Sequence, residues 1–594
     1  MVKHAFAGRL RALTQPDLTA MTGSEHFIPG KDAPLETTIS RMQAQLAARG
    51  FNVLERSWLN PVEGVWSVHV SDADCPLLFT NGKGSSELAA RASALGEFFE
   101  RLSCHYFWSH YYLGETVAQQ GAVHYPQETW LPLPDDGSWP QEILTPELQA
   151  FYNPEASIPA ERLVDLNSGH AERGICALPY TRLSDGETVY FPVNLIGNLY
   201  VSNGMAAGNT QPEARAQALS EIIERFVKFR VLREGLCLPD VPVDVVARYP
   251  KIAAGIEALR AAGFGILVKD ASLGGVYPVM NVTLLNPKDQ GCFVSFGAHP
   301  SFEVALERAL TELLQGRALD ALDGFPELGF DLEEVAEAPN LEIHFVDSSG
   351  IVHWNFLSAE PDFDFVDWDW CGSTEDDYQA LCDCIADEGA EIYAADFTHQ
   401  GVYACRILVP GMSEIYPLDD LEWENSSVGN AIRAALIDLP NLDEDGCEAL
   451  FDTLDELDLD DQRPVAALIG LAPDADSAWK DLRIGELKTL LSLALSDDEG
   501  TRAGCEWIRH FGQLDADRLK VYRCIEALIG LDGMGTHPTA LVALYGEDTL
   551  TLAERLLDGE ERFFGLNTLD ANFEGSRMHT KLLAAYAKAQ AGVI

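Results

Sequence analysis

The chain is poor in basic residues. Only 41 of its 594 residues are Lys or Arg, against 93 Asp or Glu, which leaves a formal net charge of −52. A surface of this sign repels nucleic acid and anionic membranes, so direct binding to either is not expected. A phosphate-bearing ligand therefore needs accompanying cations, or a few well-placed basic side chains, in order to bind.

The sequence also lacks long apolar runs and clustered cysteines. No apolar stretch reaches the roughly 18 residues of a membrane span, and the N-terminal segment has no apolar core of signal-peptide length. The twelve cysteines form no Cys-x-x-Cys pair and no Cys/His group with zinc spacing. These absences predict a cytoplasmic protein with reduced thiols and argue against a zinc site.

A chain of this length exceeds one hydrophobic core, so two or more domains are expected. Strand-like runs with a glycine-bearing turn occur in segments 65–84, 188–210 and 277–300. Each segment is followed by helical periodicity, over about 86–108, 211–233 and 301–321. This recurrence predicts an α+β or mixed α/β body. The second helix should begin with a capping box at Thr210-Gln-Pro-Glu213.

Beyond about residue 415 the strand pattern fades, and acidic residues and short helical stretches replace it. Two amphipathic stretches, 482–495 and 518–531, lie about one 34-residue repeat apart, which is the period of tetratricopeptide helix pairs. The full signature of that repeat is missing. The pattern predicts a helical C-terminal domain, and stacked helix pairs of this kind commonly serve as interaction surfaces.

One helical motif occurs twice. The stretches ASALGEFFER (92–101) and ALSEIIER (218–225) both contain Ala-Leu-x-Glu-x-x-Glu-Arg. On a helix the two carboxylates and the arginine share one face, because residues three and four apart are neighbours. The residues concerned are Glu97, Glu100 and Arg101 in the first helix, Glu221, Glu224 and Arg225 in the second, and Arg308 with Glu312 in the third.

A structural role alone explains any one of these helices. Glu97 with Arg101, and Glu221 with Arg225, are i,i+4 ion pairs, each contributing about 0.2–0.5 kcal/mol. The duplication, the apolar flanks and the excess of carboxylates over arginines favour a second interpretation, because buried carboxylates need partners. Mg²⁺ is the natural counter-ion, and arginines could then contact phosphate oxygens. No P-loop is present, since Asn81-Gly82-Lys83-Gly84 lacks the upstream glycine and the downstream hydroxyl.

These stretches resemble the three ATP-site motifs of the YcaO family, as ALGEFFER, as ALSEIIER preceded by SNGMAAGNTQPEA, and as LERALTELLQGR. FIPGKDA, SWLNPV, TNGKG and FVDWDW are similar to the free-standing type of that family. The resemblance implies a fold unlike a kinase or a P-loop protein, with Mg²⁺ ions bridging glutamates to the triphosphate of ATP. The expected organisation is an N-terminal arm (1–26), an α+β YcaO-type ATP-binding body (27–420) and an all-α, tetratricopeptide-like C-terminal domain (421–594).

The resemblance also implies individual ligand roles, although it identifies no catalytic residue. The expected metal-site positions are Glu97, Glu100, Glu221, Glu224 and Glu312. The expected nucleotide contacts are Lys31, Ser93, Arg101, Asn209, Glu213, Arg225 and Arg308. One departure is Ala206 in the GMAAGN turn, where members of this type can carry serine.

Three functions follow from the resemblance and remain open at this stage. The first is a Mg/ATP-binding protein that assists the β-methylthiolation of an aspartate in a small-subunit ribosomal protein. Its expected partners are that ribosomal protein, a radical methylthiotransferase and a second copy of the chain, paired through the C-terminal region. The second is an enzyme that uses ATP to activate a peptide backbone amide, giving a thioamide or an azoline. The third is an ATP-stabilised interaction scaffold.

The C-terminal stretch bears on the second function. Azoline-forming relatives carry a Pro-x-Pro-x-Pro tail that reaches the ATP site, whereas stretch 579–594 contains no proline. Its apolar residues recur near helical spacing. It is therefore expected to pack on the neighbouring helices of the C-terminal domain, far from Glu97 and Glu221.

Overall fold

A computed structural model describes residues 25–591 apart from 121–122, 126, 170–171, 513, 532, 534 and 536. The predicted arm over 1–26 lies almost entirely outside the described residues, and so do the last three residues of the chain. Within the described ranges, no helix is both long and apolar enough to cross a membrane.

Strands of the described residues form three sheets, and every pairing between named strands is antiparallel. The strands are β1 Val53–Val62, β2 Val65–Asp72, β3 Phe79–Gly84, β4 Thr129–Leu131, β5 Ile175–Arg182, β6 Thr188–Pro192, β7 Met205–Gly208, β8 Gly265–Asp270, β9 Val279–Leu285, β10 Cys292–Ala298, β11 Tyr393–Phe397 and β12 Tyr403–Leu408. The sheet orders are β1-β2-β3, β10-β9-β8 and β4-β5-β11-β12-β7, with β6 also paired to β5.

Helices of the body surround these sheets. They are α1 Leu35–Ala48, α2 Glu87–Ser103, α3 Glu115–Ala118, α4 Pro146–Tyr152, α5 Val193–Leu195, α6 Gln211–Glu234, α7 Val243–Val246, α8 Pro250–Ala261, α9 Phe302–Leu314, α10 Leu332–Ala336, α11 Ala338–Val346 and α12 Thr374–Asp387. The region that follows is helical: α13 Gly429–Ile437, α14 Glu444–Glu456, α15 Val465–Leu468, α16 Ile484–Ala494, α17 Asp498–Phe511, α18 Ala516–Gly530, α19 Pro538–Tyr545, α20 Glu547–Leu557 and α21 Arg577–Gln590. The predicted order, a mixed α and β body before a helical region, is confirmed, while the tetratricopeptide-like repeat stays a prediction.

Segment 188–210 contains two strands as predicted, β6 and β7, and a helix lies between them. The run Val193–Tyr200 within segment 188–210 forms α5 and a following π-helical turn. Its buried apolar residues are Leu195, Ile196, Leu199 and Tyr200. Pairs of adjacent apolar residues that recur after four positions lie on one helical face, whereas a half-buried strand needs alternation.

Glycines allow strands to lie directly against the motif-bearing helices. Gly82 was expected in a turn but lies within β3, and Gly297 lies within β10. A Cβ at Gly82 would come within 2.0 Å of the Ala90 carbonyl oxygen in α2, and one at Gly297 within 2.4 Å of the Ala305 carbonyl oxygen in α9. Only glycine permits this close approach of backbones. Since side chains alternate along a strand, residues adjacent to these glycines point away from the helices.

The terminal helix α21 packs on the α+β body, which contradicts the expectation that it packs on its own domain. Leu582 and Tyr586 join the core of the first sheet, together with Phe98 of α2 and Trp108. Trp108 Nε1 donates to the Leu582 carbonyl at 3.3 Å, and the Tyr586 hydroxyl donates to the Val123 carbonyl at 2.7 Å. Helical periodicity identified the apolar face of α21 correctly, but periodicity does not specify which surface covers that face.

Candidate functional site

One cavity of about 950 Å³ contains all the predicted ligand residues in its walls. Its walls come from the loop before α1, from β3 and α2, from the start and middle of α6, and from α9. The predicted residues that line it are Lys31, Ser93, Glu97, Glu100, Arg101, Asn209, Glu213, Glu221, Glu224, Arg225, Arg308 and Glu312. The fold thus gathers residues from distant parts of the sequence, while their ligand roles stay predictions.

The two copies of the motif face the cavity in the same way. Arg101 forms an ion pair with Glu97 at 2.5 Å, and Arg225 forms one with Glu221 at 2.8 Å. Arg225 also donates to the side-chain oxygen of Asn203 at 3.0 Å. The i,i+4 pairs expected from the sequence are therefore present, and each arginine pairs with only one of the two glutamates on its helix.

The second glutamate of each motif lacks such an arginine. The side chain of Glu100 has no hydrogen-bond or ion-pair partner in the part of the chain that the structure describes. Burial, together with the charges of Glu221 and Glu97, raises the pKa of Glu100 well above its ordinary value. Glu224 accepts a hydrogen bond from the Ala298 backbone N–H at 3.2 Å. Carboxylates arranged in this way favour the binding of a cation, because cation binding relieves both desolvation and mutual repulsion.

The third helix contributes Arg308 and Glu312, but these two residues do not pair. Arg308 donates to the Ala298 carbonyl at 2.8 Å and also to the side chain of Gln217. Glu312 is instead ion-paired with Lys83 of β3. Burial lowers the pKa of Lys83 to about 8. Sequence reasoning missed Lys83, because neither the comparison with a P-loop nor the TNGKG resemblance assigned the lysine a role. The signal that finds it is its alternation with the helix-facing glycines of β3.

At another part of the cavity a hydrogen-bonded group surrounds Glu213. Its carboxylate lies 3.6 Å from the Lys31 ammonium, and it accepts from the Asn209 side chain at 3.0 Å and from the Asp32 N–H at 2.9 Å. The Thr210 hydroxyl accepts from the Glu213 N–H and caps α6, but the reciprocal half of the predicted capping box is not formed, because the Glu213 carboxylate is engaged by these other partners. Glu213 thus orders the loop that carries Lys31, and burial lowers the pKa of Lys31.

Three further residues line the cavity: one was predicted from the sequence and two were missed. The Ser93 hydroxyl oxygen accepts from the Lys83 N–H at 3.4 Å. Arg317 and Asp347 also line the cavity, and the Arg317 guanidinium donates to the Asp347 carbonyl at 3.1 Å. Arg317 is the last residue of the stretch LERALTELLQGR, but no role was assigned to it, and no motif marks Asp347. Ala206 is buried within β7.

The donor set fits a hard divalent cation together with a polyphosphate. Carboxylate oxygens are the ligands that Mg²⁺ prefers, and lysine and arginine side chains suit phosphate oxygens. No three Asp, Glu, His or Cys side chains among the described residues converge as a ready metal cage. Mg²⁺ does not require one, since it is commonly bound by one or two carboxylates plus phosphates and water. The arrangement therefore favours cation and nucleotide binding together.

Family comparisons match two parts of the chain. The family described as YcaO cyclodehydratase, ATP- and Mg²⁺-binding, matches residues 81–413. The family described as YcaO cyclodehydratase C-terminal domain matches residues 429–592. The first match includes the three helices α2, α6 and α9, whereas Lys31 precedes it.

Curated relatives match over nearly the whole chain. The ribosomal protein S12 methylthiotransferase accessory factor YcaO of Escherichia coli (strain K12) is 49% identical over 96% of this chain and 98% of its own length. An uncharacterized protein of Haemophilus influenzae is 46% identical over 95% of this chain and 98% of its own length.

Solved structures match more distantly. The structure of YcaO from Methanopyrus kandleri bound with AMPPCP and Mg²⁺ is 19% identical, with a TM-score of 0.39 over 66% of this chain and 93% of that one. A heterocyclase in complex with substrate and cofactor is 16% identical, with a TM-score of 0.44 over 67% of this chain and 56% of that one.

Proposed function

The chain belongs to the YcaO family, and on this premise we propose that it binds ATP with Mg²⁺ and assists the β-methylthiolation of an aspartate in ribosomal protein S12. The observation that carries this proposal is the 49% identity with the Escherichia coli accessory factor, which extends over 96% of this chain. The cavity of about 950 Å³, with its carboxylate and basic side chains, supports the ATP and Mg²⁺ part. The proposed place of action is the cytoplasm.

In this proposal the glutamates differ in whether their carboxylates already have an ion-pair partner in the structure. Glu100, whose side chain lacks a partner among the described residues, would hold the cation without the loss of an internal ion pair. Glu97 and Glu221, now paired with Arg101 and Arg225, would supply further carboxylate ligands once these arginines bind phosphate oxygens. Planar guanidinium groups bind phosphate with two parallel hydrogen bonds, so Arg101 and Arg225 would exchange one oxyanion for another.

A second candidate is ATP-dependent activation of a peptide backbone amide, and the description of the family as a cyclodehydratase favours it. Such an activation is a phosphoryl transfer, which depends on positioning and on neutralisation of charge by metals and arginines. Release of phosphate that requires an added peptide would support this candidate. An unchanged modification state of S12 in cells lacking the protein would favour it over the first.

Cells that carry Glu97→Gln as their only copy of the protein are expected to lose most of the methylthio group on S12. The reason is that the variant removes a proposed metal ligand while the protein remains present. Mass spectrometry of purified S12 measures the modified fraction. The matched control is Glu87→Gln, which removes an exposed partner of Arg91 on the same helix. Full modification of S12 in the Glu97→Gln cells would refute the proposed role of the site.

We further propose that the protein is a homodimer paired through its helical region. Three large apolar side chains are exposed there, Phe511 at 52%, Leu531 at 41% and Leu544 at 71%. The double variant Phe511→Glu, Leu544→Glu is expected to be monomeric in light scattering, because two buried charges would oppose pairing. The control Val243→Glu, at an 83% exposed apolar residue of the body, should leave the mass unchanged. A persisting dimer would move the interface to the body.

A further inference from the structure

We propose that Lys83 is an internal counter-ion of Glu312 and that Mg²⁺ binds by exchange, in which the metal takes the Glu312 carboxylate and the Lys83 ammonium leaves it. The inference rests on the proposed Mg/ATP function and adds to it a residue and an order of events. The Lys83–Glu312 ion pair belongs to the protein without metal or nucleotide, and the exchange occurs when Mg²⁺ binds.

The position of Lys83 follows from the local structure of β3. Gly82 and Gly84 both face α2, where an added Cβ would come within 2.0 Å of Ala90 and 2.7 Å of Ala89 respectively. Because side chains alternate along a strand, Lys83 points to the opposite face, which is the cavity. Nearby, a side-chain hydrogen bond of 2.6 Å from Gln315 to the Asn81 carbonyl ties β3 to the end of α9. The backbone that carries Lys83 is therefore held beside Glu312.

Glu312 differs from the other paired glutamates in the source of its cation. In α2 and α6 the partner arginine lies one turn along the same helix. In α9 the corresponding arginine, Arg308, is engaged by the Ala298 carbonyl and by Gln217. Glu312 therefore depends on a cation from another element, and only Lys83 supplies one within the described part of the chain. A lysine ammonium on a flexible stem can leave without disturbing a helix.

The charge around the pair explains why the exchange is favourable. The Lys83 ammonium lies in the field of Glu224, Glu97 and Glu221 in addition to its contact with Glu312. Without a divalent cation this lysine reduces the mutual repulsion of the carboxylates. When Mg²⁺ binds, its double positive charge replaces the single charge of the Lys83 ammonium beside the same carboxylates. The carboxylates stabilise the double charge more strongly. Lys83 therefore stabilises the metal-free protein and competes with the metal.

Competition between Lys83 and Mg²⁺ predicts that loss of the lysine lowers the stability of the metal-free protein and raises its affinity for Mg²⁺. Lys83→Met should lower the melting temperature of the metal-free protein, because Glu312 loses its partner. The same variant should bind Mg²⁺, titrated alone in a calorimeter, about tenfold more tightly than the wild type, a coupling of ordinary size. Lys83→Arg should keep the wild-type affinity. Lys251→Met, at an exposed lysine that also lines the cavity, should change neither quantity.

A double-mutant cycle assigns the effect to the pair. In a Glu312→Gln background, Lys83→Met should no longer tighten Mg²⁺ binding, because the competition for that carboxylate is gone. The double variant also removes both charges of the pair, so it should fold even if Lys83→Met alone does not. Tighter Mg²⁺ binding that persists in the Glu312→Gln background would overturn the assignment to this pair.

Other outcomes separate the inference from the function on which it rests. If Lys83→Met binds Mg²⁺ no more tightly than the wild type, including the case in which neither binds, the exchange is overturned. If it loses only ATP affinity, Lys83 is a nucleotide contact and not a competitor of the metal. If the wild type fails to bind ATP in the presence of Mg²⁺, the proposed function itself fails, whatever the variants of Lys83 do.

Discussion

Glu97→Gln and Glu221→Gln are each expected to weaken Mg²⁺-dependent ATP binding by at least about 100-fold, since even the loss of a residue behind a metal ligand commonly costs 10–100-fold. The fold should survive, because an amide relieves repulsion with the neighbouring carboxylates. Calorimetric titration of ATP in the presence of Mg²⁺ measures the effect. The same titration with a chelator in place of Mg²⁺ should show no binding even for the wild type, because the carboxylates repel an unaccompanied triphosphate.

Helices α2 and α6 each carry a second i,i+4 ion pair outside the motif. These pairs are controls for the simpler explanation that the motif residues form only ordinary ion pairs. Glu87 pairs with Arg91 at 3.0 Å on α2, and Glu234 pairs with Arg230 at 3.1 Å on α6. Both pairs have the same i,i+4 spacing as the motif pairs. Neither control glutamate lines the cavity. Glu87→Gln and Glu234→Gln should therefore retain wild-type affinity.

A motif variant that also retains wild-type affinity would contradict the proposed site. In that case the pair on the corresponding helix, Glu97 with Arg101 or Glu221 with Arg225, is only an ion pair that stabilises the helix. Loss of affinity in the control variants would instead indicate a general dependence on helix charge.

Removal of the terminal helix, by a stop before Arg577, is expected to prevent stable folding of the α+β body and not only of the helical region. Leu582 and Tyr586 lie in the core that also contains Phe98, on the helix that carries Glu97. Truncation of a buried leucine to alanine alone typically costs about 2–5 kcal/mol of unfolding free energy. Loss of the whole helix removes several such side chains at once. Thermal unfolding, with ATP binding as a second measurement, tests this expectation.

The control for this truncation is a shorter one. Removal of Ala591 to Ile594 should leave the melting temperature and ATP binding nearly unchanged, because α21 ends at Gln590. The last three of these residues lie outside the described part of the chain. A stop before Arg577 that preserves the wild-type melting temperature would show that α21 contributes little to the body. A large loss of ATP turnover after the short truncation would instead bring the end of the chain into the site.

Much of the candidate site could be predicted because its residues follow a spacing within single helices. A carboxylate at i, i+3 with an arginine at i+4 lies on one face of a helix in any fold, so the duplicated motif indicated a charged helical face directly. The resemblance of three such stretches to known ATP-site motifs then related them to one another. The structure is consistent with that relation, since all twelve predicted residues line one cavity.

The features of the site that sequence reasoning missed depend instead on contacts between different elements. Lys83 became part of the cavity only through the close contact of β3 with α2, which forces the glycines of β3 towards that helix. The ion pair of Glu312 is made by Lys83 of β3, which no spacing within α9 indicates.

By itself, the sequence determined the charge of the protein, the faces of its motif-bearing helices and the residue types available to bind a cation and phosphate, because these depend on composition and on spacing within single elements. The tertiary structure alone decided that Lys83 pairs with Glu312, that the side chain of Glu100 stays without a partner among the described residues, and that α21 completes the core beneath α2. Each of these depends on which surfaces meet across large distances in the chain. Such contacts are selected by the packing of the whole body and leave no periodic pattern in the residues that make them.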